Sequence, residues 1–145
     1  MRVACLRRAS LLLAGIALLS ATGCSSAGSD DPEGTAQVHV VERDFRISAP
    51  SHLTAGDVRL SIRNKGPDDH EFIVVRTGHR HLPLREDGLT VDEDAVEKET
   101  AGALEPARPG VHQVRLRLRP GRYTMLCNMA GHYMGGMHRT LEVSQ

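Results

Sequence analysis

Two segments of the chain alternate apolar and polar side chains with a period of two residues. In 58–63 and again in 114–119, valine, leucine or isoleucine occupies every second position, and arginine or serine stands between. A period of two puts all the apolar side chains on one face of a β-strand, whereas a helix would scatter them. Both segments are therefore predicted to be half-buried strands, and the continuous apolar run 72–75 is predicted to be a central strand.

Shorter apolar patterns continue this arrangement on both sides. The first of them is formed by Val38, Val40, Phe45 and Ile47. Pro120-Gly121 is a turn signal that precedes a predicted strand at 123–127, and a last strand is predicted at 138–143. Several short strands separated by turns predict an all-β sandwich or barrel.

The stretch 77–110 breaks this rhythm. Its hydrophobic periodicity is weak, and it has eight acidic residues against four basic ones. We interpret it as a long acidic connection inserted before the last strands, in which 91–101 fits a short helix.

Residues 1–23 are predicted to be a lipoprotein signal peptide. Three arginines precede an apolar run, 11–19, which is too short to span a bilayer comfortably. Small residues then lead to Cys24, the predicted site of lipid attachment, although Ala21 stands where such signals usually have leucine. The alternative is an ordinary signal peptide followed by an incidental cysteine.

Removing this leader changes the charge balance. The whole chain has 18 basic and 18 acidic residues; the leader contains three arginines and no acidic residue, which leaves 15 basic and 18 acidic residues and a formal charge of −3. The absence of a basic excess argues against a nucleic-acid partner. Residues 24–34 are predicted to be a flexible polar tether and 35–145 the folded domain, which is too small for a multidomain enzyme. We expect it at the outer face of the cell membrane by its lipid anchor, or in the periplasm or outside the cell without one.

Three side chains that bind metals stand within eleven residues near the C-terminus. Their spacing is Cys127-x4-His132-x4-Met137, and a glycine-containing loop at the end of a strand can fold a thiolate, an imidazole and a thioether around one point. A loop this short cannot close the site alone, so the fourth donor should come from another strand, and His70 opens the most apolar one. Two imidazoles, one thiolate and a weak axial thioether are the ligand set of a blue-copper site.

Three motifs follow one another in a characteristic order: Asn64-x-Gly66…His70-Glu71-Phe72, Pro120-Gly121-x-Tyr123 and Cys127-x4-His132-x4-Met137. In this order they resemble the cupredoxins, especially plastocyanin-like, sulfocyanin-like and rusticyanin-like proteins, over most of 35–145. The resemblance implies a Greek-key β-sandwich of seven or eight strands with one type 1 copper ion at one end.

The resemblance also implies a role for each residue. His70, Cys127 and His132 would be the equatorial ligands and Met137 the axial ligand, and His132 would present its ring edge to solvent as the electron exit. Many members have asparagine, serine or threonine directly after the early histidine, where this chain has Glu71. Because residues around the ligands tune a metal site, no redox potential carries over from a relative.

The resulting hypothesis is a membrane-tethered electron carrier, not an enzyme, that cycles Cu(I)/Cu(II) by outer-sphere transfer. Its partners would be redox proteins such as a cytochrome or an oxidase, met through small interfaces, and we expect a monomer. Met129, Met134 and His138 leave a second hypothesis open, a copper-binding or delivery protein of the same fold. His79 and His81 are interpreted as part of a solvated loop rather than as a second metal site.

Overall fold

The structure, a computed structural model, describes residues 32–145. The predicted leader 1–23, Cys24 and most of the predicted tether lie outside the described residues. Within 32–145, no helix is long and apolar enough to cross a membrane.

The described residues form nine strands and one short helix. The strands are β1 Ala36–Arg43, β2 Arg46–Ser48, β3 His52–Thr54, β4 Gly56–Asn64, β5 His70–Arg76, β6 Thr100–Ala107, β7 Gly110–Leu118, β8 Gly121–Leu126 and β9 His138–Ser144. The helix is α1 Glu93–Val96, and a 3-10 turn, Glu97–Glu99, follows it directly.

The strands form two sheets, with the orders β2-β1-β4-β7 and β3-β9-β8-β5-β6. The pairs β1–β4 and β3–β9 are parallel, and the other pairs are antiparallel. One apolar core contains residues of β1, β4 and β7 from the first sheet and of β5, β8 and β9 from the second. The predicted all-β sandwich is therefore confirmed.

The segments with a period of two lie where their pattern predicts. Val58, Leu60 and Ile62 of β4 are buried, as are the three apolar residues of β7, while the arginines of β7 are exposed. The register puts Val58 opposite Leu116, so the two strands turn their apolar faces to the same side. A shift of one residue would expose all of these side chains, and each contributes roughly 1.5–3 kcal/mol by burial.

The predicted connection 77–110 contains a strand, β6, so that prediction is wrong for 100–107. The strand has no fully buried residue, which explains why it lacks the alternation of β4 and β7. It lies at the edge of the second sheet and pairs with β5 through two irregularities in register. It also contains Pro106, which cannot donate to a ladder. The structure has nine strands in 32–145, whereas seven or eight were expected. The nine include β6 and two strands of three residues, β2 and β3, which are too short to show a pattern.

The rest of this acidic stretch covers the outer face of the second sheet. Leu82, Val91 and Val96 pack against Ile73, Val75 and Leu126 in a second apolar cluster. This cover explains why 72–75 is apolar at every position: β5 is an interior strand of its sheet and is buried on both faces.

Within the stretch, the predicted short helix is confirmed only over Glu93–Val96. The side chain of Asp92 accepts a hydrogen bond from the N–H of Ala95 (3.3 Å) and caps its start, and acidic residues at this end suit the helix dipole.

Phe45 is not one of the first core positions, contrary to the prediction. Arg43 pairs with Arg46, so Asp44 and Phe45 form a two-residue turn between β1 and β2. The Phe45 side chain is 53% exposed there, whereas Ile47 is buried.

We predict that Val91→Ala lowers the free energy of unfolding by about 2 kcal/mol, because it leaves a cavity beneath the covering segment. Val111→Ala is the matched control: Val91 is 1% exposed and Val111 57% exposed, so the control should change stability by less than about 0.5 kcal/mol. Urea denaturation of the metal-free chain measures both. Equal effects would mean that 77–99 is a solvated connection and not a cover.

Candidate metal centre

The segment 127–137 is a closed loop between β8 and β9. The N–H of Cys127 donates a hydrogen bond to the carbonyl of Met137 (3.0 Å), and the N–H of Met137 donates to the carbonyl of His132 (2.9 Å). Gly131 and Gly136 have φ angles of 80° and 98°, which glycine adopts without strain. The loop thus brings its first and last residues side by side. Because both Cys127 and Met137 are fully buried in the shared core, the thiol and the thioether lie at the same end of the sandwich.

His70 is positioned by the turn between β4 and β5. The buried side chain of Asn64 accepts a hydrogen bond from the N–H of Gly66 (2.6 Å) and donates to the carbonyls of Asp68 (2.9 Å) and Ala107 (3.0 Å). A Cβ at Gly66 would lie 2.7 Å from the carbonyl oxygen of Asp68, so the turn has room only for glycine. The Asn-x-Gly motif therefore braces the turn that delivers His70 to the first position of β5.

Three donor atoms from these elements converge. Sγ of Cys127 is 3.4 Å from Nδ1 of His132 and 3.9 Å from Nδ1 of His70, and the three ligand atoms all lie within 4.8 Å of one another. The His70 side chain is fully buried, whereas His132 is partly exposed. In the described part of the chain, no other group of three histidine, cysteine or acidic side chains comes together in this way.

The spacing of these donors suits one metal ion. Bonds from zinc, a first-row metal close to copper in size, to imidazole nitrogen and thiolate sulfur are about 2.0–2.3 Å, so three donors in a trigonal plane stand roughly 3.5–4 Å apart. The distances of 3.4 and 3.9 Å from Sγ agree with this. With Met137, the donors form a site that fits a single type 1 copper ion, because soft sulfur and imidazole together suit copper.

The protonation of the donors follows from their burial. Burial raises the pKa of the Cys127 thiol to about 11, although the backbone amides of Met129 and Glu71 act in the opposite direction. Burial, and then the charge of His132, lower the pKa of His70. The metal-free chain at neutral pH therefore holds a protonated thiol and a neutral His70 imidazole, and a metal ion has to displace the thiol proton.

The outward nitrogen of His70 also fits a ligand histidine. Nε2 is buried and has no hydrogen-bond partner, and Oδ1 of Asp44 lies 3.5 Å from it. Histidines that bind metals usually donate their second N–H to a carboxylate or carbonyl. The ring of His70 thus turns Nδ1 to the other donors and Nε2 to an acceptor.

Asn128 was missed by the motif analysis. Its side chain accepts a hydrogen bond from the N–H of Val91 (2.6 Å) and donates to the carbonyl of Val91 (3.1 Å) and to Oε1 of Glu93 (2.6 Å). It therefore ties the loop that begins at Cys127 to the segment that covers the second sheet. Its position directly after Cys127 is the only sequence signal for this role.

Glu42 was also missed. It points into the core at the end of β1, is 1% exposed, and its Oε1 has no hydrogen-bond partner. Burial raises the pKa of Glu42 to about 8, so the side chain is protonated at neutral pH. Its charge, when present, would raise the pKa of the Cys127 thiol further.

The remaining predicted residues lie around the site or away from it. Met129 is half-buried against the core, whereas Met134 is 55% exposed. The ring of His138 contacts that of Tyr133, with 5.0 Å between centroids and the planes inclined by 43°. His79 and His81 are exposed and join no metal-binding group in residues 32–145.

Glu71, the departure from the family pattern, lies half-buried beside the site. Its burial, followed by the carboxylates of Glu93 and Glu105, raises its pKa to about 7.

Comparison with known proteins identifies the architecture. No protein-family model and no curated protein matches the sequence. Auracyanin A, a "blue" copper protein from Chloroflexus aurantiacus, matches in structure with a TM-score of 0.58 and 18% identity over 77% of this chain and 100% of its own. An auracyanin from Roseiflexus castenholzii gives 0.57 and 14% identity over 77% and 98%. The chain has the cupredoxin fold.

Reduced rusticyanin is similar in the same way, with a TM-score of 0.55 and 16% identity over 74% of this chain and 79% of its own. At these identities the comparisons establish the fold alone. In this cupredoxin-like chain, the case for a metal therefore depends on the donor atoms described above.

We predict that the buried acid makes the stability of the metal-free chain depend on pH. Glu42 binds its proton more tightly in the folded state than in the unfolded state. Its contribution to the free energy of unfolding is therefore most favourable below about pH 4.5 and is lost as the pH rises through about 8. Glu42→Gln keeps the shape without the charge, so its free energy of unfolding should fall less between these two pH values than that of the wild type. Urea denaturation at both pH values measures the difference.

The exposed Glu97→Gln is the control and should behave like the wild type. An equal fall in Glu42→Gln and the wild type would contradict a buried, protonated Glu42.

Proposed function

We propose that the chain is a single-copper electron carrier of the blue-copper type and catalyses no reaction of its own. The observation that carries this proposal is the convergence of Nδ1 of His70, Sγ of Cys127 and Nδ1 of His132 beside the buried Met137. Copper in such a site supplies one-electron chemistry by alternating between Cu(I) and Cu(II).

The protein's own contribution is to keep the donors in place. Cys127 and Met137 are held by the bonds that close the loop, and His70 by the turn that Asn64 braces. Donors held by a packed core and by backbone hydrogen bonds have little freedom to rearrange when the charge of a bound ion changes. A site of this kind favours rapid electron transfer without bond formation to the partner.

His132 is the proposed electron exit. It is the one imidazole of the pair that is partly exposed, and Phe45 and Met134 expose apolar surface on the same loop and the adjoining turn. A small apolar rim suits brief encounters with a redox protein, and we propose a cytochrome or an oxidase as the partner of the monomeric chain.

Copper delivery on the same fold remains the second candidate because Met134 offers an exposed thioether near the site. Of the three residues that suggest delivery, Met129 packs on the core and the ring of His138 contacts that of Tyr133. This favours electron transfer over delivery.

We further propose that residues 1–23 direct export and that Cys24 carries the lipid that anchors the chain at the outer face of the membrane. The support is the arginine-rich start, the short apolar run and the following cysteine. The intact mass of the membrane-extracted protein tests it: the lipid adds mass to a chain that starts at Cys24, and an unmodified mass would contradict the anchor.

The copper proposal predicts an intense visible absorption when Cu²⁺ is added to the purified chain, because a copper–thiolate bond absorbs there. Cys127→Ala should abolish this band. A chain that binds Cu²⁺ without the band, or a Cys127→Ala variant that keeps it, would contradict a blue-copper site.

Met137→Leu tests the axial position. It should keep the band but shift it and change the reduction potential, because the axial ligand tunes both. Met125→Leu is the matched control, since Met125 is equally buried but belongs to β8 and not to the 127–137 loop; it should leave both properties unchanged. To separate the two candidates, the Cu(I) form is mixed with a metal-free acceptor protein: retention of copper supports electron transfer, and rapid loss supports delivery.

A further inference from the structure

We propose that the two-residue turn between β1 and β2, Asp44 and Phe45, positions both histidines of the metal centre. This inference rests on the proposed function, because it concerns how the same site is held. Asp44 would fix the orientation of the buried His70, and Phe45 would cover the partly exposed His132. Neither residue belongs to the three motifs that contain the metal-binding residues.

Phe45 adopts an unfavourable backbone conformation. Its φ is 57°, and among the described residues it is the only one besides glycine with a positive φ. Phenylalanine disfavours this left-handed region, which glycine or asparagine would enter easily. The turn thus has an aromatic residue at a position whose backbone favours glycine or asparagine.

Burial in the core does not account for this choice. More than half of the Phe45 side chain is exposed. What the ring does contact is the metal-site loop: its centroid lies 5.3 Å from that of the His132 ring, with the planes inclined by 58°. A Cβ at Gly135 would collide with the same ring, since even Cε1 would lie only 2.7 Å from it. Backbone strain of this kind is typical of functional positions.

Asp44 makes the matching contact with the other histidine. Its Oδ1 and Nε2 of His70 are 3.5 Å apart, both are buried, and neither has a hydrogen-bond partner among residues 32–145. A neutral imidazole that binds metal through Nδ1 carries its proton on Nε2 and needs an acceptor there. Asp44 is the carboxylate placed to accept it.

The two contacts come from adjacent residues, and this adjacency gives the turn its role. In a two-residue turn closed by the Arg43–Arg46 pair, the aspartate reaches inward to His70 while the phenylalanine lies over His132. One rigid element therefore holds both imidazoles, which belong to strands and loops far apart in sequence. Asp44 and Phe45 are positioning residues and not ligands.

The first experiment needs no metal. Long-range proton–nitrogen NMR of the metal-free, full-length chain reports which ring nitrogen of His70 carries the proton. We expect Nε2–H in the wild type and a mixture of tautomers in Asp44→Ala. Asp57→Ala is the control, because Asp57 is a half-exposed carboxylate of β4 that pairs with Arg117; it should match the wild type. A wild type with the proton on Nδ1, or an unchanged tautomer in Asp44→Ala, overturns the role of Asp44.

The second experiment follows the transfer of Cu²⁺ from the loaded chain to a chelator. Loss of a partner of a metal-binding histidine typically weakens metal binding by about 10–100-fold, so Asp44→Ala should release copper faster by a factor in this range. Phe45→Gly should also release copper several-fold faster, although its metal-free form should unfold at the same temperature as the wild type or higher, because glycine relieves the strained φ.

Two variants control for the phenylalanine. Phe45→Tyr keeps the ring and should restore wild-type release. Val111→Ala removes an equally exposed apolar side chain of β7, outside both the turn and the metal-site loop, and should leave release unchanged. Wild-type release from Phe45→Gly overturns the role of Phe45.

The outcome of the tautomer experiment does not depend on whether copper is the natural metal. A wild-type chain without the visible band would refute the proposed function. The role of Asp44 would then be decided by the NMR result alone. Conversely, a strong band with an unchanged tautomer would refute the inference only.

Discussion

The metal centre depends on one hydrogen bond, from the N–H of Cys127 to the carbonyl of Met137. It continues the pairing of β8 and β9 one step beyond Leu126 and His138, so the sheet itself sets the distance between the two sulfur-bearing residues. Without it, the loop would be a flexible segment whose donors could reach many positions. With it, His132 is the only donor of the loop whose place is decided by the loop's own turns, and those turns need glycine at two positions.

Buried polar side chains are concentrated at this end of the sandwich. Glu42, Asn64, His70 and Asn128 come from four different segments, and all are almost inaccessible to solvent. Asn64 and Asn128 use their amides fully, whereas Glu42 and His70 each keep an unpartnered atom. Unpaired polar atoms in a core cost stability. The two unpartnered atoms lie where a metal ion is proposed to bind, whereas the buried hydroxyl of Thr77, at the other end of β5, is hydrogen-bonded to Thr124.

How much was predictable from the sequence depends on how local each signal is. The strands β4 and β7 were predictable because their buried side chains recur with a period of two. The donors of 127–137 were predictable because they lie close together along the chain. Strand β6 was not predictable, because its side chains show no alternation and its pairing with β5 joins segments that are distant in the sequence. The prediction that Phe45 is a core residue was wrong, because an apolar side chain is expected in the core unless the turn that exposes it is known. Glu42 and Asp44 gain their roles only when β1 is packed beside β4 and β5.

The irregular edge of the second sheet has a consequence for the association of copies of this chain. A regular edge strand offers a row of free N–H and C=O groups on which a neighbouring molecule can add a strand. In β6 that row is interrupted, since Pro106 lacks an N–H and the register against β5 shifts twice. Sheet-to-sheet association between copies is thereby discouraged at this edge.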